Sequence, residues 1–272
     1  VYIPYGLEIG GGAFNQSYQF NLLVQNKAWR IFSRSYNHRK MFAKYKDNGS
    51  SNVVVSGSPR TDLYKDLEKM GNKELREKIG DRIAILWSSH FSVVDDDEPN
   101  AWSSFLYIKD HIIEVFGSLT KSHFLIFRPH PLLWTTLQEK KIWNYEKVEE
   151  FRNEILGLGN SYIDENFEYM DTFKESDGLI TDAGSFLLEY LWVNKPILYT
   201  YPPNGYGLND DSENILKAVT SLGKDYYKTI NSFIRSINKE DNYFKEERNL
   251  ARDEIFYRPE NGTSVGEFII DN

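Results

Sequence analysis

Ser176-Asp177-Gly178-Leu179-Ile180-Thr181-Asp182-Ala183-Gly184-Ser185-Phe186-Leu187-Leu188-Glu189-Tyr190 is the stretch on which the fold turns. Gly178 to Ile180 is a short apolar run and predicts a buried strand. Thr181 to Ser185 is a turn of small residues. Phe186, Leu187, Tyr190, Leu191 and Val193 recur at helical spacing and predict a helix that Lys195-Pro196 ends. Ile197 to Tyr199 then opens another strand. Strand, tight polar turn and helix start also make an anion site, because free backbone N–H groups and the helix dipole point into the turn. Thr181, Asp182, Gly184 and Ser185 line that turn, and Ser185 is placed to cap the helix and donate to a phosphate. Glu189, one turn on, is placed to accept bonds from ribose hydroxyls. The same spacing also serves an ordinary strand-to-helix turn with a capping serine.

Outward from this motif the chain alternates strands and helices. Tyr2 to Tyr5, Ala28 to Ser33, Asn52 to Val55, Arg82 to Trp87 and His123 to Arg128 read as strands, and Tyr162 to Asp164 as a short extended piece. Ser35 to Tyr45, Asp62 to Ile79, Trp102 to Leu119, Leu137 to Leu156, Tyr169 to Glu175, Asn214 to Leu222, Asp225 to Ile237 and Glu240 to Asp253 read as helices. Such alternation implies right-handed βαβ units and a parallel sheet, an α/β fold. A boundary is expected near Asn72 to Asp81. Residues 1–75 form a partial N-terminal α/β segment, the tail of a preceding domain, and residues 76–272 form a complete doubly wound C-terminal unit.

Three further stretches carry candidate chemistry. In Phe127-Arg128-Pro129-His130-Pro131, Arg128 and His130 stand at the carboxyl end of a strand, where open α/β sheets bind ligands. The two prolines restrict the backbone around His130, and an Arg with a His suits a diphosphate. A surface turn with an incidental His is the plain alternative. Ser56-Gly57-Ser58-Pro59-Arg60-Thr61-Asp62 is again strand, small turn and helix, with Gly57 allowing close backbone approach and Asp62 able to cap or pair with Arg60. Tyr2 to Glu8 leads into Gly10-Gly11-Gly12, a loop with room for a substrate but without a dinucleotide-binding frame. Ser89 and His90 follow the strand at 82–87 and share its sheet edge with His130 and Ser185. His38, His111 and His123 fall within helix or strand patterns and read as structural.

Composition narrows the class. The 272 residues suffice for a sizeable core, and 40% hydrophobic with 15% aromatic residues excludes a disordered chain. The absence of cysteine excludes disulfides and thiolate metal sites. A net charge of −8 argues against a nucleic-acid footprint. No apolar run is long enough to span a bilayer. Arg34, Arg39, Lys40, Lys44 and Lys46 form a basic stretch that suits either lipid headgroups or a solvated helix face. The chain opens at Val1, which suggests a piece of a longer protein.

Taken in order, Ser-Gly-Ser-Pro-Arg-Thr-Asp (56–62), Ile-Leu-Trp-Ser-Ser-His-Phe (85–91), Phe-Arg-Pro-His-Pro-Leu (127–132), the stretch at 176–185, Glu-Tyr (189–190), Asn-Lys-Pro-Ile (194–197) and Phe-Tyr-Arg-Pro-Glu-Asn-Gly (256–262) resemble the CDP-glycerol glycerophosphotransferase family of teichoic acid and capsule polymer synthesis. The resemblance implies a GT-B fold, two Rossmann-like domains facing a cleft, with most of the first domain outside this chain. It implies that His130 stabilises the diphosphate leaving group, that Asp182 and Ser185 hold the donor phosphates and that Glu189 holds the ribose. The implied chemistry is attack of an acceptor hydroxyl on the β-phosphorus of a CDP-alditol, releasing CMP. It implies no cofactor and no metal, with His130, Arg128 and the helix dipole meeting the charge. A nucleotide-sugar or CDP-alditol donor, a polymer or lipid-linked acceptor, peripheral membrane contact and a cytoplasmic location at the inner membrane face follow as expectations.

One position departs from the family. Its usual His-Gly, the expected base, is matched here by Tyr5-Gly6. A phenol with a pKa of about 10 is a poor base at neutral pH, so Glu8 or His90 are the substitutes. Ala183-Gly184 brings the turn closer to that of UDP-N-acetylglucosamine 2-epimerases. An epimerase-like nucleotide-sugar enzyme and an inactive nucleotide-binding module therefore stand as alternatives.

Overall fold

The apolar runs of the sequence lie side by side in a computed structural model, which describes residues 1–93, 102–182, 184–238, 244–260 and 262–272. The amino-terminal part contains α1 (Ala13–Phe20), α2 (Leu23–Lys27), β1 (Ile31–Ser33), α3 (Tyr36–Tyr45) and β2 (Val53–Val55), then a 3₁₀ segment at Pro59–Lys69. After it come α4 (Lys73–Ile79), β3 (Ile83–Ser88), α5 (Phe105–Ser118), β4 (His123–Phe127), α6 (Leu133–Glu139), α7 (Tyr145–Gly157), β5 (Ser161–Ile163), α8 (Met170–Glu175) and β6 (Gly178–Thr181). The chain closes with α9 (Phe186–Glu189), a 3₁₀ turn at Tyr190–Trp192, β7 (Ile197–Tyr199), a 3₁₀ turn at Glu213–Lys217, β8 (Thr220–Ser221), α10 (Tyr226–Ser236), α11 (Lys245–Ile255) and α12 (Val265–Asp271).

β3 to β8 form one parallel sheet in the order β5-β4-β3-β6-β7-β8. Helices cover both faces, which is why β3, β4, β6 and β7 read as apolar runs and not as alternating strands. One face packs against α5, α6, α7 and α10 around Trp87, Phe105, Phe127 and Phe151. The other packs against α4, α8, α9 and α11 around Leu86, Phe173, Leu187 and Tyr190. Among the described residues no helix is long and apolar enough to cross a membrane.

A second, two-stranded parallel sheet pairs β1 with β2, and Tyr2 bridges to Ile31 beside it. The carboxyl terminus returns to this part. Tyr257 donates its N–H to Arg34 O at 2.8 Å, and Asp62 caps α12 by accepting from Val265 and Gly266 N–H at 3.1 and 2.9 Å. Gly57, at φ +90°, lets Tyr257 pass: a Cβ there would lie 2.4 Å from Tyr257 O.

Several expectations need correction. Tyr2 to Tyr5 is a single bridge and not a strand. The helix expected at 62–79 divides at Met70–Asn72, where Gly71 takes φ +159°. The one expected at 137–156 divides into α6 and α7 because Lys141 turns left-handed. The helix expected at 214–222 is a 3₁₀ turn followed by β8, whose parallel partner is β7. Residues 240–243 of the expected helix at 240–253, and Ala183 and Asn261 of the quoted motifs, lie outside the described residues. Arg34 and Lys46 of the basic stretch are buried, Arg34 on Asp211 and Lys46 on Asn48, so these five cations do not make one basic face.

Candidate functional site

The sheet order places a topological switch point between β3 and β6. From β3 the chain runs outward through β4 and β5, and from β6 it runs the other way through β7 and β8. The loops leaving β3 and β6 therefore diverge and leave a crevice at their carboxyl ends. Ser89 and His90 enter it from β3, His130 from β4, and Asp182, Gly184 and Ser185 from β6.

Asp182 builds this crevice from beneath. It is 1% exposed and accepts the backbone N–H of His90 at 2.7 Å and of Ser104 at 3.0 Å. Burial pushes its pKa up to about 7, against the pull of those N–H bonds. Thr181 is buried beside it, its carbonyl taking the Thr200 N–H at 2.7 Å. Both residues shape the turn, and the two carboxyl oxygens of Asp182 are taken by backbone N–H groups. Gly184 does face open space, for a Cβ there would meet nothing within 4 Å. Ser185 stands at the N-cap position of α9 as expected, with φ and ψ of −54° and −29°, but its hydroxyl makes no capping bond. The helix behind it is one α turn and one 3₁₀ turn, shorter than the spacing predicts, and it ends where Asn194 turns left-handed.

His90 and His130 stand 5.8 Å apart, ring to ring. In each, Nδ1 accepts a nearby backbone N–H, from Ser92 at 3.2 Å and from Leu132 at 3.1 Å. The neutral rings therefore carry their proton on Nε2. Burial holds both below the usual histidine pKa, His90 at about 4 with the neighbouring His130 adding to the effect. Ser89 ties the loops together through its carbonyl, which accepts the His130 N–H at 3.3 Å. Its own hydroxyl is buried without a partner.

Arg128 is spent differently from the expected diphosphate contact. Its guanidinium grips the loop after β5, donating to Asp164 Oδ2 and Asn166 O, each at 2.6 Å. That loop presents Phe167, 93% exposed, an aromatic side chain within a polar run. Beside it lies a cleft of about 430 Å³ lined by Asn72, Lys78, Tyr162, Phe167 and Asp171.

The loops of the small sheet complete the region. Arg60 pairs with Glu189, Nη1 to Oε1 at 2.7 Å, and lies 5.5 Å over the Tyr5 ring, so Asp62 is not its partner. Tyr64 and Tyr169 donate to the other oxygen of Glu189. Glu189 is thus fully buried with its acceptors occupied, and it closes a joint between the two sheets rather than offering an open ribose contact. Tyr5 is 87% exposed, and Ser58 is buried with its carbonyl taken by Thr61. The glycines at 10–12 serve packing and not a ligand: a Cβ on Gly11 would lie 2.3 Å from Tyr206 O. Glu8 adopts φ +44°, its carboxyl buried with Oε2 3.3 Å from His38 Nε2. Burial, with Asp211 adding, pushes Glu8 up to about 8 against Arg34 and Arg60.

A family model described as CDP-Glycerol:Poly(glycerophosphate) glycerophosphotransferase matches residues 6–266. No curated protein matches the chain. Among solved structures, the wall teichoic acid polymerase TagF superposes with a TM-score of 0.62 at 16% identity, covering 100% of this chain and 66% of that one. S. aureus MnaA bound to UDP gives 0.59 at 17% identity over 89% of this chain and 59% of that one. The Methanocaldococcus jannaschii UDP-GlcNAc 2-epimerase gives 0.61 at 17% identity over 97% and 67%. The chain thus spans about three fifths to two thirds of the length of these structures. It shares their GT-B-type α/β fold.

Proposed function

The chain belongs to the CDP-glycerol:poly(glycerophosphate) glycerophosphotransferase family, and from that premise we propose that it takes part in moving an alditol phosphate from a CDP-alditol to a hydroxyl of a growing cell-envelope polymer. The observation that supports this most directly is the crevice at the switch point, where the Ser89–His90 loop is hydrogen-bonded both to His130 and to Asp182 at the foot of the open turn. The acceptor hydroxyl attacks the β-phosphorus, the new O–P bond forms, and the bond to CMP breaks. Neutral His130 donates its Nε2 proton as a hydrogen bond to the phosphate that gathers charge. Residues 1–75 and 76–272 supply the two sides of the site. No resident metal or cofactor is part of this reading. A variant of TagF has been crystallised after soaking with CDPG, which motivates the choice of donor.

Of the candidate bases, Glu8 fits best. Its carboxyl is raised to about 8, whereas burial leaves His90 weakly basic at about 4. Tyr5 stays an exposed phenol beneath Arg60 and lines the acceptor path. An acceptor carried on lipid would bring the protein to the inner membrane face, with Arg39, Lys40 and Lys44 as the exposed cations.

A thermal-shift panel with CMP, CDP, UMP, UDP and GDP on this chain and on Ser185→Ala tests the reading. A ligand at 100 times its Kd adds about 2.7 kcal/mol of stability. A cytidine-selective shift that shrinks in the variant is the expected result. A uridine-selective shift would move the donor to a UDP-sugar.

A further inference from the structure

His38 fits poorly as a mere core residue. It is fully buried in α3, packed edge-on to Phe20 and Phe42. Its Nδ1 accepts the Arg34 N–H at 3.4 Å, so the proton of the neutral ring is on Nε2. Nε2 has no ordinary hydrogen-bond partner, and neither has the buried oxygen it faces, Glu8 Oε2 at 3.3 Å. Two buried polar atoms left without other partners, facing one another, call for an explanation. So does the backbone that brings Glu8 there, since φ +44° is a left-handed conformation that strains a residue other than glycine. The strain is held by the neighbours: Asn209 donates to Glu8 O at 2.5 Å and Ile9 O accepts the Asn209 N–H at 2.9 Å.

We propose that His38 is a positioning residue which, through Nε2–H, fixes the Glu8 carboxyl so that Oε1 takes the proton of the attacking hydroxyl. The proposal rests on the transferase reading above. Oε1 is the oxygen turned toward Gly6, where an added Cβ would be 4.0 Å away, and the pocket around it is walled by Pro4, Gly57, Ser58 and Arg34. All of these lie at the carboxyl edge of the small sheet, the side on which Arg60 reaches Glu189. In the step, which the ionised form of Glu8 performs, the acceptor oxygen bonds to phosphorus, its proton passes to Oε1, and CMP departs with the electron pair of the broken P–O bond. His38 stays neutral throughout, consistent with burial and Arg34 holding its pKa well below the usual value. The charged and titratable groups around Glu8 are Arg34, Asp211, Arg60, His38 and Tyr2.

The test follows CMP release against pH in the intact protein for wild type, Glu8→Gln, His38→Leu and His38→Gln, with the melting temperature of each. Glu8→Gln is expected to lose about 100-fold in kcat or more. His38→Leu keeps the volume but removes the donor. It should lower kcat about 10-fold and move the ascending, acidic limb of the profile, which the ionisation of Glu8 sets, with little change in donor KM. His38→Gln, whose amide reaches the same place, should restore most of the rate. A folded His38→Leu protein with the wild-type profile overturns the positioning role, and a Glu8→Gln protein with full kcat overturns the base while leaving the transferase reading standing. If wild type releases no CMP from any CDP-alditol, the transferase reading fails instead. The carbon-13 titration of Glu8 in wild type and His38→Leu then decides the pairing, and an identical pKa in both overturns it.

Discussion

His130 and Ser89 differ in what each loses on substitution. His130 is half-buried, its Nδ1 is tied to its own loop, and its Nε2 proton is the part left to meet charge. His130→Ala should cost about 2–4 kcal/mol of transition-state stabilisation, a drop of about one and a half to three decades in kcat, with the fold intact by circular dichroism. A rate within threefold of wild type would remove His130 from the chemistry. Ser89 carries a buried hydroxyl with no partner, and such a group destabilises the free protein. Ser89→Ala should therefore hold or raise the melting temperature while weakening donor binding, and calorimetry that finds both unchanged would assign the hydroxyl no role.

At the scale of elements, the joint around Glu189 is the informative one. α9 alone is a single turn, and the 3₁₀ segment at 59–69 packs against α12, which Asp62 caps. Arg60, Tyr64 and Tyr169 converge on one fully buried carboxylate and lock three elements together. Removing Arg60 would leave that charge without its cation. A fully buried pair would lose 3–5 kcal/mol, and since Arg60 is 30% exposed, solvent screening brings the expectation for Arg60→Ala to about 2 kcal/mol. Adding Glu189→Gln should recover part of this in a double-mutant cycle, and additive losses would show the pair uncoupled.

The whole molecule gathers titratable groups displaced in opposite directions. Glu8 at about 8 and Asp182 at about 7 hold protons in the folded state that the unfolded chain, with values of 4.5 and 3.8, has released. Their contribution is present at low pH and is lost as pH rises through about 7 to 8. His38, His90 and His130 are held below 6.5, so their contribution is lost as pH falls below that value. The two trends oppose between about 4.5 and 6.5, which leaves net loss above 6.5. Melting temperature should decline from pH 6.5 to 8.5, and Glu8→Gln should flatten the decline. A flat wild-type curve over that interval would contradict the buried, protonated Glu8.

Local pattern alone determined the parallel α/β class, the strands β3, β4, β6 and β7, and the placing of Ser89, His90, His130 and Ser185 at one sheet edge. Those features depend on apolar runs, turn residues and helix periods that are near neighbours in the chain. The family resemblance was legible for the same reason, since its motifs are short and ordered. Tertiary structure decided the rest. Whether Arg128 meets a ligand or the loop at 164–168, whether Glu189 is open or caged, and whether the glycines at 10–12 admit a substrate or the 206–208 backbone all depend on partners distant in sequence. The pairing of Glu8 with His38 is of this kind. Each residue reads as ordinary in its own segment, and only the left-handed turn at Glu8 and the packing of α3 bring a buried carboxyl against an imidazole. Burial sets the proton affinity of both, and burial is a property of the assembled core that no local pattern carries.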